Sequence, residues 1–402
     1  MFESDQERVL VTVTGPDTPG ITAALTGVLA SKGARLRDIE QVVVQGQLTL
    51  CLLVGLDSAP GSGEPVLKDL LFTAKRMGLD LDFAVVSPDQ NGHAGQSRYA
   101  VTAIGDGLDA GGVHVIADVL ARHGANIEQI RQLSGERLGS LEIIVGLPPE
   151  PGLASTLRRD LIRVTADLDI DVAVQRERLT RRAKRLVIMD MDSTLIRIEV
   201  IDELAAMHGV GEQVSEITRR AMGGELDFEQ SLRERVGLLR GLSVEKVHAL
   251  AADLPITEGA REMLRVLRKL GFKTGVISGG FTFAAYALKD KLGLDYAYAN
   301  ELVEADGVLT GEVKQPVVSP QRKADLLDAI AQREGIALEQ TIAIGDGAND
   351  LAMLERAGLG IAFHAKPRLR EQADTALRAG GLDRILYLLG LHAHDIAELL
   401  AD

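Results

Sequence analysis

Four short runs in the second half of the chain are apolar at nearly every position. They are "RLVIMD" (185–190), "FKTGVIS" (272–278), "TIAIGD" (341–346) and "LGIAF" (359–363). A strand that does not alternate apolar with polar is buried on both faces. Helical segments separate the runs, and parallel strands need such crossovers. The pattern predicts an α/β domain with a doubly wound parallel sheet over 183–402. The stretch from about 199 to 256 interrupts the alternation and reads as wholly helical, which predicts an inserted cap.

The first run ends in "DMDST". Side chains repeat every two residues in a strand, so Asp190 and Asp192 fall on the same side of the chain. Two carboxylates about 5 Å apart repel by roughly 3 kcal/mol at an effective dielectric near 20. A shared proton, a cation, or both must offset that. Ligand sites in such sheets form at the carboxyl ends of the strands, and every run ends in a candidate group. The second ends in "SGGF" (Ser278, Gly279, Gly280), the third in "GDGANDL" (Asp346, Asn349, Asp350), and Lys323 opens a helix between them. The chemistry that fits is phosphoryl transfer through a carboxylate. It needs an attacking aspartate, a second acid for the leaving oxygen, a bridging Mg2+, and donors for the phosphate oxygens.

"DMDST", "SGGF", Lys323 and "GDGANDL" together resemble the four motifs of the haloacid dehalogenase superfamily, in the right order over the second half of the chain. The resemblance implies Asp190 as nucleophile and Asp192 as general acid and base. It implies Mg2+ on Asp190, the Asp192 carbonyl and Asp346, with Asp350 supporting. Ser278, Gly279, Gly280, Lys323 and Asn349 would hold phosphate. The cap stretches "IRIEVIDELA" (196–205) and "RRAMGGELDFEQSLRERVGLL" (219–239) resemble those of the phosphoserine phosphatase family. That implies O-phospho-L-serine as substrate, Glu199 on its ammonium and Arg235 on its carboxylate, with Met222 and Phe228 as cover. Arg233 is the alternative carboxylate binder. Other small phosphates, transfer to an alcohol, or a phosphoprotein substrate are the rival readings.

The first half contains a repeat: "VTVTGPDTPGITAALTGVLASKGARLRDIEQ" (11–41) parallels "VTAIGDGLDAGGVHVIADVLARHGANIEQIRQ" (101–132). Each copy reads as strand, Gly-rich loop, amphipathic helix, strand, strand, helix, strand, a ferredoxin-like βαββαβ unit. The units span 1–90 and 96–178, joined by the polar linker "SPDQNGHAGQS" (87–97). They resemble ACT domains, the amino-acid-sensing modules of metabolic enzymes. The resemblance implies an L-serine effector near Asp17 and Gly20, and near Gly111 and Asn126, and a homodimer formed through these units.

The formal charge is −14, which disfavours nucleic acid and anionic lipid as partners. One cysteine, Cys51, sits in an apolar strand and reads as a buried, inert thiol. No run is long enough for a membrane span, and the acidic start lacks the features of a secretory leader. A cytoplasmic location is expected. The basic stretch "RERLTRRAKR" (176–185) reads as a solvated connector.

Overall fold

A computed structural model describes residues 7–56, 64–86, 96–135, 137, 139–365 and 367–401. The expected linker therefore lies outside the described residues as far as residue 95. The described residues form two compact units, one up to residue 94 and one from 95 onward.

The first unit runs β1 (Glu7–Pro16), α1 (Ile21–Ser31), β2 (Arg35–Val44), β3 (Gln47–Leu56), α2 (Glu64–Arg76) and β4 (Asp80–Val86). Its antiparallel sheet has the order β2-β3-β1-β4. Period-two alternation decides which face is covered. Val9, Val11 and Val13 of β1 and Leu48, Leu50 and Leu52 of β3 pack under Ile21, Leu25 and Leu29 of α1 and Leu70 of α2. Burying each such side chain contributes about 1.5–3 kcal/mol. Gly33, at φ 66°, ends α1 in the left-handed conformation that glycine adopts without a Cβ clash. Cys51 lies on the other sheet face and is only half-buried, which corrects the expectation of a buried thiol. Its even-numbered neighbours take the core side. β2 is exposed throughout.

The second unit opens with the same motif. It comprises β5 (Ser97–Ile104), α3 (Ala110–Arg122), β6 (Asn126–Gln132), β7 (Ser140–Leu147), α4 (Leu153–Thr165) and β8 (Asp171–Arg176). Next come β9 (Leu186–Met189) and four cap helices, α5 (Val200–His208), α6 (Gly211–Met222), α7 (Phe228–Leu238) and α8 (Val244–Ala252). The core resumes with α9 (Ala260–Lys269), β10 (Lys273–Phe281), α10 (Thr282–Leu292), β11 (Tyr296–Asn300) and the hairpin β12 (Leu302–Ala305) and β13 (Val308–Val313). It closes with α11 (Pro320–Glu334), β14 (Thr341–Gly345), α12 (Leu351–Arg356), β15 (Gly360–Phe363), α13 (Pro367–Gln372), β16 (Thr375–Leu377), α14 (Ile385–Leu388) and α15 (Ala393–Ala401).

The parallel sheet has the order β11-β10-β9-β14-β15-β16. The chain steps outward from β9 on one side and then returns to its other side. β9 is thus the topological switch point, where a crevice opens at the strand ends. The cap leaves and rejoins the core at one place: Ile196 bridges Ile256, and Arg197 N donates to Pro255 O at 3.0 Å.

The second βαββαβ sheet fuses to the catalytic sheet. β8 pairs antiparallel with β16 through Ala173 and Thr375, giving ten strands among the described residues. One face of β5, β7 and β8 is covered by α3 and α4. From the other face Ile104 and Ala173 join the catalytic core beside Leu382, Ile385 and Leu388. This arrangement corrects the reading of 176–185 as a solvated connector at two positions, while Arg176, Arg178, Arg182 and Arg185 are exposed as expected. Arg181 and Lys184 are only 5 % and 6 % exposed. Arg181 Nη2 donates to Glu142 Oε1 at 2.7 Å and its Nε to Glu177, while Lys184 Nζ donates to Glu339 O at 2.6 Å. Glu142 and Glu339 lie on distant segments, and they turn these two basic residues into buried connections. No helix among the described residues is long and apolar enough to cross a membrane.

Candidate active site

The four all-buried residues of β9 carry Asp190 to the crevice between β10 and β14, where its N–H donates to Ile344 O at 2.8 Å. The chain then turns sharply, with Ser193 at φ 55°, an uncommon conformation for a residue with a Cβ. The turn returns Asp192 to the same crevice. Asp192 Oδ1 accepts from Val200 N at 3.0 Å, so the first residue of the cap holds it. Ser278 Oγ lies 3.4 Å from Asp192 Oδ2 and accepts from Gly280 N at 2.8 Å. The pairing of β10 with β11 slips between Ile277 and Phe281, so residues 278–280 bulge over the strand ends. A Cβ at position 280 would come within 2.5 Å of Asp192 Oδ2 and 2.8 Å of Met191 Cε, so any larger residue there must displace one of these side chains.

Local sequence places Lys323 with equal economy. Ser319 caps α11 by accepting from Arg322 N, and Pro320 starts the helix. One residue past that first turn, Lys323 Nζ donates to Asp190 Oδ1 and to Asp350 Oδ1, each at 2.7 Å. Burial pulls the ammonium down, but the charges of Asp190 and Asp350 outweigh it and hold Lys323 above its ordinary range. Gly347 N donates to Asp350 Oδ2 at 3.1 Å.

Asp190, Asp346 and Asp350 each offer a carboxylate oxygen within 4.8 Å of the other two. Three hard oxygen donors, with neither sulfur nor imidazole among them, fit Mg2+. One ammonium among these carboxylates leaves negative charge uncompensated, which shifts the acids of the cluster upward. Burial, then Asp190 and Asp350, raises Asp346 to about 7. Burial and Asp190 raise Asp350 to about 6 against the opposing effect of Lys323. Burial, then Glu199 and Asp190, pushes Asp192 well above the usual carboxylate range.

The cap supplies charges of both signs. Ser193 Oγ donates to Glu199 Oε1 at 2.7 Å. Glu199 keeps surface accessible to water, yet the cleft walls shield it enough that desolvation raises its carboxyl. Arg235 on α7 is half-buried; desolvation lowers its guanidinium, while Asp202, Glu199 and Asp192 draw it back up. Arg233, two residues away on the same helix, is exposed and paired with Glu229. The structure thus turns Arg235, not Arg233, towards the carboxylates. Phe228 lies against the loop, its ring 3.0 Å from where a Cβ on Gly279 would stand. Met222 is 68 % exposed at the end of α6 and does not close over the cluster. Asn349 is half-buried beside Gly347.

One residue went unread in the sequence. Asn300, 1 % exposed at the end of β11, donates from Nδ2 to Gly279 O at 2.7 Å and accepts at Oδ1 from Val318 N at 2.7 Å. It ties the bulged loop to the segment that leads into α11. An asparagine closing an apolar strand beside a glycine-rich loop is a signal, though a faint one.

The two βαββαβ units differ at their first loops. In the first, Asp17 and Gly20 border a cavity of about 420 Å3, and Gly20, at φ 98°, caps α1 with no side chain on its amides. In the second, the Asp109 carboxylate caps α3 by accepting from Gly112 N at 2.9 Å, next to Gly111. Asn126 opens β6. The second helix terminus is filled by the chain itself.

Residues 184–358 match the haloacid dehalogenase-like hydrolase family, and residues 7–84 and 97–175 each match an ACT domain family. The phosphoserine phosphatase of Streptomyces coelicolor is 44 % identical over 99 % of this chain and 96 % of its own length. Phosphoserine phosphatase SerB2 of Mycobacterium tuberculosis is 44 % identical over 96 % of this chain and 94 % of its own. Among solved structures, a probable phosphoserine phosphatase from Vibrio cholerae superposes with a TM-score of 0.57 at 35 % identity, covering 75 % of this chain and 89 % of that one. A haloacid dehalogenase family hydrolase from Salmonella enterica serovar Typhi gives 0.63 at 31 % identity, covering 72 % and 98 %. Similarity of this extent, spanning both ACT domains and the catalytic fold, makes the chain a member of the phosphoserine phosphatase family of haloacid dehalogenase-like hydrolases.

Proposed function

We propose that the chain hydrolyses O-phospho-L-serine to L-serine and phosphate, the step that completes serine biosynthesis. The observation that carries this is the Lys323 ammonium held between Asp190 and Asp350, beside Asp192, whose carboxyl desolvation and the neighbouring Glu199 and Asp190 raise well above the usual carboxylate range. An Asp190 oxygen attacks phosphorus, the ester P–O bond breaks, and the serine oxygen leaves with the proton of Asp192. Asp192, now a carboxylate, takes a proton from the water that attacks the phosphoaspartate, and Asp190 is regenerated. Ser278 Oγ and the amide of Gly279 would donate to the phosphate oxygens, together with Asn349 and with the Gly280 amide once it leaves Ser278 Oγ. Lys323 places its positive charge between Asp190 and Asp350 and so offsets the negative charge at the point of attack.

Asp190 and Asp346, with the Asp192 carbonyl, would hold Mg2+, and Asp350 supports the set because both its oxygens are already engaged. Bound there, the cation supplies charge neutralisation for the attacking carboxylate and the phosphate. In the cap, Arg235 takes the substrate carboxylate, Glu199 its ammonium, and Phe228 excludes water; Met222 adds cover if the turn after α6 folds inward.

We further assign the loop of Asp17 and Gly20 to an L-serine effector, because its helix amides lack a side-chain cap. The Gly111 and Asn126 loop is the weaker host, since Asp109 occupies the equivalent amides. A second copy of the chain is the natural cover for β2, whose Val42 and Val44 are 57 % and 63 % exposed on an edge strand. We place the reaction in the cytoplasm.

The test is phosphate release from O-phospho-L-serine, O-phospho-L-threonine and p-nitrophenyl phosphate, with Mg2+ or EDTA, with and without L-serine. Mg2+-dependent turnover that favours phosphoserine supports the assignment. Equal turnover of all three removes Glu199 and Arg235 as selectors. A rate indifferent to L-serine removes the effector.

A further inference from the structure

The seam that joins the second ACT domain to the catalytic sheet borders a solvent-open cavity of about 490 Å3, within the roughly 300–1,000 Å3 typical of small-molecule sites. It lies away from the aspartate cluster, between α4 and β8 on one side and α13 and β16 on the other. Its surface is mostly apolar, from residues such as Ile162, Ile170 and Ala376, and four arginines line it: Arg159, Arg163, Arg370 and Arg378.

The charges around this cavity do not balance. Its one lining carboxylate, Asp171, is taken by Arg378, whose Nε donates to Asp171 Oδ1 at 2.7 Å. The rest of that guanidinium donates to Ala166 O and Ile170 O, at 2.6 and 2.7 Å, so Arg378 serves as wall. Arg163 shares Asp160 at 3.0 Å. Two guanidinium groups are left over. Arg159 donates only to the neutral Thr156 Oγ1 at 3.3 Å, and Arg370 has no ion pair among the described residues. A chain of net charge −14 thus has two guanidinium groups without a carboxylate partner at the rim of an apolar hollow, Arg370 half-buried and Arg159 exposed.

We propose that this cavity binds a small organic anion with an apolar body, a monocarboxylate with a hydrocarbon chain or ring. Arg159 and Arg370 hold the carboxylate, and the apolar walls take the hydrocarbon. A zwitterionic amino acid is disfavoured: its ammonium would face guanidinium groups, and the one lining carboxylate is already paired. The occupant is therefore of a different class from the amino-acid effector assigned to the first ACT domain. Because the walls come from both sides of the seam, an occupant that binds only the folded chain stabilises it by RT ln(1 + L/Kd), where L is its free concentration.

Octanoate is the probe, titrated into the full chain by calorimetry with inorganic phosphate present to fill the catalytic cleft. We expect saturable binding at one site, with octanamide and L-serine failing to compete. The charge-reversed double variant R159E/R370E should bind octanoate at least about tenfold more weakly, the loss expected for one charge-assisted contact. Its phosphatase activity without octanoate should stay unchanged, which also reports folding. Ala166→Trp, which fills the hollow without altering charge, should block binding by itself and decides the matter if the double variant does not fold. Absence of saturable binding overturns the proposal, as does binding that survives Ala166→Trp. Octanamide binding as tightly as octanoate overturns the role of the arginines.

Discussion

Lys323 and Asp190, 133 residues apart in the chain, meet at 2.7 Å with side chains only 1 % and 5 % exposed. The same ammonium reaches Asp350, which is fully buried. Removing one partner of a buried ion pair leaves an uncompensated charge, worth about 3–5 kcal/mol. We expect Lys323→Met to lose turnover and to lower stability by that order at about pH 8 in EDTA. The loss should shrink in mild acid, where the orphaned carboxylates take up protons. Urea titrations at the two pH values check this.

Gly280→Ala tests the position of the acid. Its Cβ would displace Asp192 Oδ2, Met191 Cε or Ser278 Oγ, which lie 2.5, 2.8 and 3.1 Å away. Losing a positioned general acid lowers kcat by about 10²–10⁴-fold. We expect a fall in that range with the melting temperature little changed, read by steady-state kinetics and calorimetry.

The two cap arginines should separate cleanly. Arg235→Lys keeps the charge but loses the planar fork, so kcat/KM for phosphoserine should fall by about 10–100-fold. Arg233→Ala releases only an exposed pair with Glu229, worth about 0–1 kcal/mol, and should leave kcat/KM near the parent value. The opposite ranking would make Arg233 the carboxylate binder.

Lys184 gives a pH signature unrelated to catalysis. Burial lowers its ammonium from the ordinary lysine range to about 8. The folded state therefore sheds this proton before the unfolded state does, and the charged form is the destabilising one. Stability relative to Lys184→Met should rise as pH climbs from about 8 to 10, by up to roughly 3 kcal/mol. A flat difference across that window would show that the site is well solvated.

Removing Mg2+ should reveal the carboxylate cluster. With Asp346 raised to about 7, the folded apo protein holds a proton that the unfolded chain does not. Apo stability should therefore fall as pH rises from about 5 to 8. Adding Mg2+ should raise the melting temperature more at about pH 8 than at about pH 6, with proton release on binding near neutrality. Calorimetry in buffers of different ionisation enthalpy measures that release.

The sequence displayed those features that depend on near neighbours. The apolar runs located β9, β10, β14 and β15, and the strand-end rule put Asp190, Ser278 and Asp346 at one crevice. The helix stripes of α1 and α3 were legible for the same reason. Contacts set by distant partners were not. Arg181 looked solvated because Glu142, its buried partner, lies 39 residues away. Arg233 and Arg235 were indistinguishable because a two-residue step on a helix reverses direction, and only the packing of α7 shows which one turns inward. The register of β8 on β16 is a single residue pair, Ala173 with Thr375, seconded by Arg378 on Asp171, and no local pattern encodes it. Asn300 fell between these cases, since its partners are backbone groups with no sequence of their own.

The most direct test is whether Asp190 becomes phosphorylated. The protein with Mg2+ is mixed with O-phospho-L-serine, quenched within one turnover, and the peptide carrying "DMDST" is examined by mass spectrometry. We expect the added mass of one phosphoryl group on Asp190, and neither that mass nor phosphate release from Asp190→Asn. Rapid phosphate release with Asp190 unmodified, or an Asp190→Asn variant that turns over near the parent rate, would contradict it.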